Sequence, residues 1–138
     1  MIVVDASVLV SVLVPQYARH ATSRRWLEGV ASRGERLVAP ALALAEIAGA
    51  IARRTGNPAL AHRAVHHLLR VPGMRLVPVD RALGLRAAGL AADLRLRGAD
   101  ALYVAVAQRL GVPLATWDAE QLDRAEGTTV VRTPEGLS

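Results

Sequence analysis

The chain has 138 residues, 52% of them hydrophobic, which suffices for one domain with a sizeable core. All 17 basic residues are arginines and only 12 are acidic, so the net charge is +5; this favours a polyanionic partner, although a compositional bias explains the same numbers. The lack of cysteine excludes disulfides and zinc ribbons, and no segment offers the roughly 20 apolar residues of a membrane span, which predicts a soluble cytoplasmic protein.

Strands and helices are predicted to alternate along the chain. In chain order we predict a strand at 2–4, helices at 6–14 and 20–32, a strand at 36–39, helices at 41–54 and 59–70, a strand at 74–79, helices at 81–97 and 99–110, and strands at 113–116 and 129–132. Pro40 is expected in a first helical turn, Gly98 between two helices, and the tail from Thr133 is expected to fray. The pattern predicts an α/β domain with a mainly parallel sheet covered by helices on both faces.

Four acidic residues lack the local explanation that the others have. Most acids lie beside arginines or at helix starts, which is typical of surface charges and caps. The remaining four are isolated: Asp5 is the only charge in residues 1–18, Glu46 in 37–52, Asp100 in 98–108 and Asp118 in 111–119. A carboxylate in apolar surroundings must be protonated, paired or bound to a cation, and Mg²⁺ and Mn²⁺ prefer oxygen ligands. We therefore interpret these four residues as a metal-binding active site.

The predicted topology is compatible with convergence of the four acids. Ligands of open α/β sheets bind beyond the carboxyl ends of the strands, where Asp5 and Asp118 are expected. Glu46 falls in the second turn of its predicted helix, and Asp100 at the start of another. Structural alternatives stay open, because backbone amides could hold Asp5, Asp100 could favour a helix N-terminus by its charge, and Asp118 with Gln121 resembles a capping box. Glu46 has the weakest such alternative.

The isolated acids fall within four short motifs that occur in a familiar order. These are Val3-Val4-Asp5-Ala6-Ser7, the stretch 40–53 around Glu46, Asp100-Ala101-Leu102-Tyr103, and Gly111-Val112-Pro113-Leu114-Ala115-Thr116-Trp117-Asp118. Each is weak alone, but together they span the chain, which resembles PIN-domain proteins and in particular the VapC toxin ribonucleases of toxin–antitoxin pairs.

This resemblance implies a fold, an activity and partners. The fold would be a single PIN domain over residues 1–138, a three-layer α/β/α arrangement with a five-stranded, mainly parallel sheet. The four acids would hold one or two Mg²⁺ or Mn²⁺ ions and hydrolyse RNA to leave a 5′-phosphate, with Ser7 and Thr116 as supporting hydroxyls. The family further implies a homodimer and a cognate antitoxin that occludes the acidic pocket.

Rival enzyme classes are disfavoured by residues that they need. A receiver domain requires a lysine, which the chain lacks, and a phosphatase of the haloacid-dehalogenase type requires an aspartate where Ser7 stands. No G-x-G-x-x-G or G-K-[ST] loop is present. A non-catalytic PIN-like module that binds RNA or protein remains as the alternative.

Several other residues receive weaker interpretations. Trp117 could stack on a base or pack, and packing is favoured slightly. His62, His66 and His67 fall on one predicted helix and could be considered as metal ligands, but His62 and His66 lack a nearby carboxylate and are expected at the surface. Three arginine pairs are candidate phosphate contacts, with a solvated surface as the alternative reading: Arg24 and Arg25, Arg53 and Arg54, and Arg95 and Arg97.

Overall fold

The computed structural model describes all 138 residues. Its elements, in chain order, are β1 (Ile2–Val4), α1 (Ala6–Leu13), α2 (His20–Ser32), β2 (Leu37–Pro40), α3 (Ala43–Thr55), α4 (Pro58–Leu68), β3 (Met74–Val77), α5 (Arg81–Leu94), α6 (Gly98–Leu110), β4 (Leu114–Ala115), α7 (Ala119–Arg124), β5 (Val131–Arg132) and a 3₁₀ helix (Pro134–Leu137). None of the helices combines the length and the hydrophobicity that crossing a membrane requires.

The five strands form one entirely parallel sheet in the order β3-β2-β1-β4-β5. The chain builds outward from β1 to β3 on one side, then returns to add β4 and β5 on the other. The strand order therefore reverses between β1 and β4, where Val3 and Val4 pair with Leu114 and Ala115. This reversal opens a crevice at the carboxyl ends of β1 and β4, which is where ligands bind in such sheets.

The core lies around the central strands and α6. Strands β1 and β2 are buried along their whole length, as parallel strands covered on both faces must be. Helix α6 packs against β1, β2 and β4 with α5 beside it, whereas α1 packs with α2 and α3. The predicted α/β fold with a five-stranded parallel sheet is confirmed.

Three local predictions are wrong at their boundaries. Pro40 ends β2 in register with Val77, and α3 begins only at Ala43. Pairing of β2 with β1 extends only to Val38, so a proline without an N–H is tolerated at this end of the strand. Gly98 is the first residue of α6, and α5 ends earlier because Arg95 adopts a left-handed conformation with φ of 56°.

The C-terminal tail is ordered into the 3₁₀ helix instead of fraying. The Thr133 hydroxyl accepts a hydrogen bond from the Gly136 N–H at 3.4 Å, and Pro134 is buried. Burial of this proline supplies the apolar contact that the sequence pattern did not indicate.

Candidate carboxylate site

Asp5 lies at the carboxyl end of β1 and forms the N-cap of α1. Its Oδ2 accepts a hydrogen bond from the Ser7 N–H at 3.0 Å, so the alternative of backbone support is part of its role. Thr116 Oγ1 lies 3.2 Å from the same oxygen, and Gln121 Nε2 donates to Oδ1 at 3.3 Å. The side chain is only 5% exposed, and this burial raises the pKa of Asp5 although every hydrogen bond opposes the rise.

Asp100 lies in the first turn of α6, three residues after the N-cap residue Arg97. It is 8% exposed, and its Oδ2 accepts a hydrogen bond from Arg97 Nε at 3.2 Å. Burial raises the pKa of Asp100, and the negative charges of Asp118 and Asp5 raise it further. Asp100 is therefore not a cap, although a helix N-terminus favours its charge.

Glu46 lies in the first turn of α3, one turn earlier than expected because α3 starts at Ala43. The buried hydroxyl of Tyr103 donates a hydrogen bond of 2.6 Å to Glu46 Oε1 from α6. Burial raises the pKa of Glu46, the hydrogen bond from Tyr103 lowers it, and repulsion from Asp5 and Asp100 raises it. Its carboxylate thus has a neutral partner but no direct ion pair.

Asp118 follows β4 and forms the N-cap of α7. Its Oδ1 accepts a hydrogen bond from the Gln121 N–H at 2.9 Å, which confirms the capping interaction that the sequence suggested. Its Oδ2 lies 3.6 Å from Arg97 Nη2. One exposed arginine therefore bridges Asp100 and Asp118.

The four acids come together from four distant segments of the chain. Gln121 contacts three of them, Asp5, Asp118 and the carbonyl of Asp100, and the charges of Asp5 and Asp100 raise the pKa of Glu46. In the geometry described, no three His, Cys, Asp or Glu side chains are close enough to hold a metal ion together. The Arg97 guanidinium contacts two of the acids instead. The donors are nevertheless hard oxygens, and the burial and repulsion of the carboxylates would be relieved by a divalent cation.

Ser7 and Thr116 support the loop between β4 and α7 as well as Asp5. Thr116 Oγ1 lies 2.6 Å from Gln121 Oε1 and accepts a hydrogen bond from the Asp118 N–H at 2.9 Å. Ser7 Oγ accepts a hydrogen bond from the Trp117 N–H at 3.0 Å. Both hydroxyls therefore hold the chain on either side of the acids in place.

Gln121 and Tyr103 contact the acids, although the sequence indicated Gln121 only as a capping-box partner and Tyr103 only as part of a motif. Gln121 is fully buried and its Nε2 donates to both Asp5 Oδ1 and the Asp100 carbonyl, at 3.3 Å each. The capping box is only half formed. The Asp118 N–H donates to the Thr116 hydroxyl and not to the Gln121 side chain, which bonds Asp5 and Asp100 instead. For Tyr103, the available signal was its spacing of three residues from Asp100 on one helix face.

A cleft of about 620 Å³ borders Glu46 and Ser7. Trp117 and Tyr17 line it, and their rings are covered by the guanidinium groups of Arg19 and Arg54 at 4.2 and 4.0 Å from the ring centroids. The indole of Trp117 is partly buried, so it packs as favoured yet keeps a surface toward the cleft.

The arginine pairs singled out in the sequence have separate environments. Arg53 and Arg54 line the cleft, and Arg97 contacts the acids. Arg24 forms an exposed ion pair with Glu28, as a solvated surface predicts. The expected surface location of His62 and His66 is confirmed, and His67 is exposed as well.

Comparisons with known proteins agree with this architecture. VapC20 from Mycobacterium tuberculosis, a sarcin–ricin loop cleaving toxin, has a TM-score of 0.76 and 23% identity, over 94% of this chain and 97% of that chain. VapBC2 from Rickettsia felis bound to a DNA fragment from its promoter has a TM-score of 0.73 and 13% identity, over 96% and 98%. A toxin–antitoxin complex from Klebsiella pneumoniae has a TM-score of 0.66 and 15% identity, over 97% and 98%.

No curated protein matches the chain in sequence. A family model does match: the PIN domain aligns with residues 2–127, which is nearly the whole chain. The chain therefore belongs to the PIN-domain family.

Proposed function

We propose that this protein is a metal-dependent endoribonuclease, a VapC-like toxin in which Asp5, Glu46, Asp100 and Asp118 are the catalytic and metal-binding residues. The observation that carries the proposal is the convergence of these four carboxylates at the reversal point of the sheet, where burial raises the pKa values of three of them. Asp5 is buried and Glu46 is half-buried, and neither forms an ion pair; such carboxylates are expensive for stability, which makes a functional role a good explanation for them.

The four carboxylates would hold one or two Mg²⁺ or Mn²⁺ ions. The chemistry that such ions supply is the activation of water for attack on phosphorus and neutralisation of the charge that builds on the phosphoryl oxygens. Arg97 would then exchange its contacts with Asp100 and Asp118 for contacts with the substrate phosphates or solvent.

The chain's own residues orient the acids. Asp5 is held by Thr116, which follows β4, and by Gln121 from α7. The Ser7 N–H of α1 holds it from its own side of the chain. Tyr103 fixes one oxygen of Glu46. Because the pKa of Tyr103 is raised far above its ordinary value by burial and by the neighbouring acids, its hydroxyl stays protonated and can donate its hydrogen to Glu46.

A cognate antitoxin and a second copy of the chain belong to the same proposal. Two of the structurally similar proteins are VapBC2 and a toxin–antitoxin complex, which supports an antitoxin of the VapB type. We further propose that the protein is a homodimer and that residues 1–138 form a single domain. Its proposed location is the cytoplasm, where RNA targets are found.

A non-catalytic PIN-like module that binds RNA or protein is the second candidate. It is favoured by the bridging of Asp100 and Asp118 by Arg97 and by the absence of three gathered metal ligands. The raised pKa values of the buried acids favour the nuclease, because a binding module gains nothing from such burial.

One experiment separates the two functions. Purified protein is incubated with structured RNAs and Mn²⁺ or Mg²⁺, alone or with excess chelator, and compared with Asp5→Asn and with Asp93→Asn, an exposed acid of α5 as matched control. We expect cleavage by wild type and Asp93→Asn, and none by Asp5→Asn or in chelator. Cleavage that persists in chelator or in Asp5→Asn would overturn the metal-carboxylate proposal.

A further inference from the structure

The chain contains only two tryptophans, two tyrosines and no phenylalanine. Trp26 and Tyr103 are buried in the core. Trp117 and Tyr17 are partly buried and both line the cleft that Glu46 borders. The two tyrosine and tryptophan rings that are only partly buried therefore lie in one cleft, next to the acidic site.

Hydrogen bonds fix the orientation of Trp117. Its indole N–H donates to the Oγ of Ser23 at 2.9 Å, and its backbone N–H donates to the Oγ of Ser7 at 3.0 Å. Ser23 is fully buried and is itself held by the Ser11 hydroxyl at 2.7 Å. The polar edge of the indole is thus tied to the protein, which fixes the orientation of the ring in the lining of the cleft.

Arginines cover both rings of the cleft. The guanidinium carbon of Arg19 lies 4.2 Å from the Trp117 ring centroid, and that of Arg54 lies 4.0 Å from the Tyr17 ring centroid. Both arginines are exposed, so their stacking is weak and can be displaced. Arg53 adds a third positive charge to the lining, against Glu46 as the only negative one.

We propose that this cleft binds unpaired nucleotides of the RNA substrate, with one base stacked on Trp117, another on Tyr17, and with Arg19 and Arg54 turned to the neighbouring phosphates. The proposal rests on the proposed ribonuclease function and adds how the substrate is selected. Aromatic side chains stack on any base, whereas the paired bases of an A-form duplex are not free to stack. The cleft would therefore select single-stranded loops or ends.

The position of Trp117 connects the cleft to the chemistry. It lies between Thr116 and Asp118, and its backbone is bound by Ser7, which also bonds Asp5. A nucleotide stacked on this ring would carry its phosphate close to the carboxylates. The cleft is lined by three arginines and by two aromatic rings on which a flat base could stack. This lining favours a polyanion with flat bases over a protein segment as the occupant.

The test measures binding in chelator, which prevents metal-dependent cleavage. Fluorescence anisotropy gives the Kd of a short single-stranded oligoadenylate for wild type, Trp117→Leu and Tyr17→Leu, with Trp117→Phe and Tyr17→Phe as controls that keep a ring. We expect each leucine variant to raise Kd roughly 10- to 100-fold and each phenylalanine variant to stay near wild type. The annealed duplex and an abasic oligomer of equal length should bind weakly and equally to all five proteins.

Thermal melting of each variant verifies that it is folded. Folded leucine variants that bind oligoadenylate as tightly as wild type would overturn the proposal, and would leave the cleft to a protein partner. Equal binding of the abasic oligomer and oligoadenylate to wild type would also overturn it. Cleavage by wild type in Mn²⁺ is measured in parallel: if wild type does not cleave but its binding depends on Trp117, the ribonuclease proposal fails while the cleft assignment stands.

Discussion

Replacement of Tyr103 by phenylalanine tests how the protein holds Glu46. The substitution removes only the hydroxyl that donates the 2.6 Å hydrogen bond to Glu46 Oε1, in a residue with no exposed surface. Glu46 itself is half-buried and borders the cleft, so solvation of its carboxylate can recover part of the lost contact. The remaining phenyl ring fills nearly the same volume, so the effect reports the hydrogen bond and not a cavity.

The size of the effect follows from the charge of the acceptor. A hydrogen bond to a charged group contributes about 1.5–3 kcal/mol, and the removal of a buried hydroxyl offsets part of this, so we expect a loss of about 1.5 kcal/mol. An unfolding entropy of about 2 cal/mol/K per residue gives about 0.3 kcal/mol/K for 138 residues. Tm of the metal-free protein should therefore fall by about 5 °C at pH 8.

The loss should depend on pH with a defined sign. Burial raises the pKa of Glu46 in the folded state above the ordinary value of 4.5, so its neutral form is favoured there and stability is lost as pH rises through the folded-state pKa. The Tyr103 hydrogen bond lowers that pKa and thus reduces this loss. The difference between wild type and Tyr103→Phe should therefore shrink as pH falls toward 4.5.

A double-mutant cycle with Glu46→Gln isolates the charged hydrogen bond. Chemical denaturation in chelator gives the free energy of unfolding for wild type, both single variants and the double variant. In the Gln background the Tyr103→Phe loss should drop by about 1 kcal/mol, because the acceptor is neutral. A coupling free energy near zero at pH 8, or a loss that grows on acidification, would refute the reasoning.

Three further predictions follow from the contacts of the site. Asp5→Asn should raise Tm of the metal-free protein at pH 8, because burial raises the Asp5 pKa and the charged form therefore destabilises the fold. Calorimetry should show that this gain in Tm fades toward pH 4, and an equal gain at both pH values would contradict the prediction. Gln121→Met should cost about 2 kcal/mol in denaturation and lower kcat more than it changes KM. Arg97→Ala should tighten Mn²⁺ binding by up to about fivefold in titration calorimetry, unlike Arg95→Ala; weaker binding would show that Arg97 does not compete.

The fold was largely predictable because the central strands and helices have strong apolar patterns. The central strands are continuous apolar runs, so their burial on both faces was readable along the chain. The boundary errors at Pro40 and Gly98 arose where local propensity was overridden. Strand pairing with β3 retains Pro40, and the left-handed Arg95, which carries no glycine signal, ends α5.

The four acids proposed for the site could be singled out in the sequence because each stands alone in an apolar stretch. Their partners could not, because the contacts join residues far apart in the chain: Tyr103 reaches Glu46 across 57 positions, and Gln121 reaches Asp5 across 116. The geometry also shows that capping and a site location coexist at Asp118, since one carboxylate oxygen can cap α7 while the other faces Arg97.

The sequence by itself determined which residues are chemically suited to the site, their order and the α/β class. Only the tertiary structure decided which of the acids are buried and which side chains hold them. It also decided that the partly buried rings of Trp117 and Tyr17 line the cleft that Glu46 borders. The physical reason is that local periodicity is encoded within a few residues, whereas the parallel pairing of β1 with β4 brings together positions more than a hundred residues apart. Convergence is a property of that pairing, and no local pattern contains it.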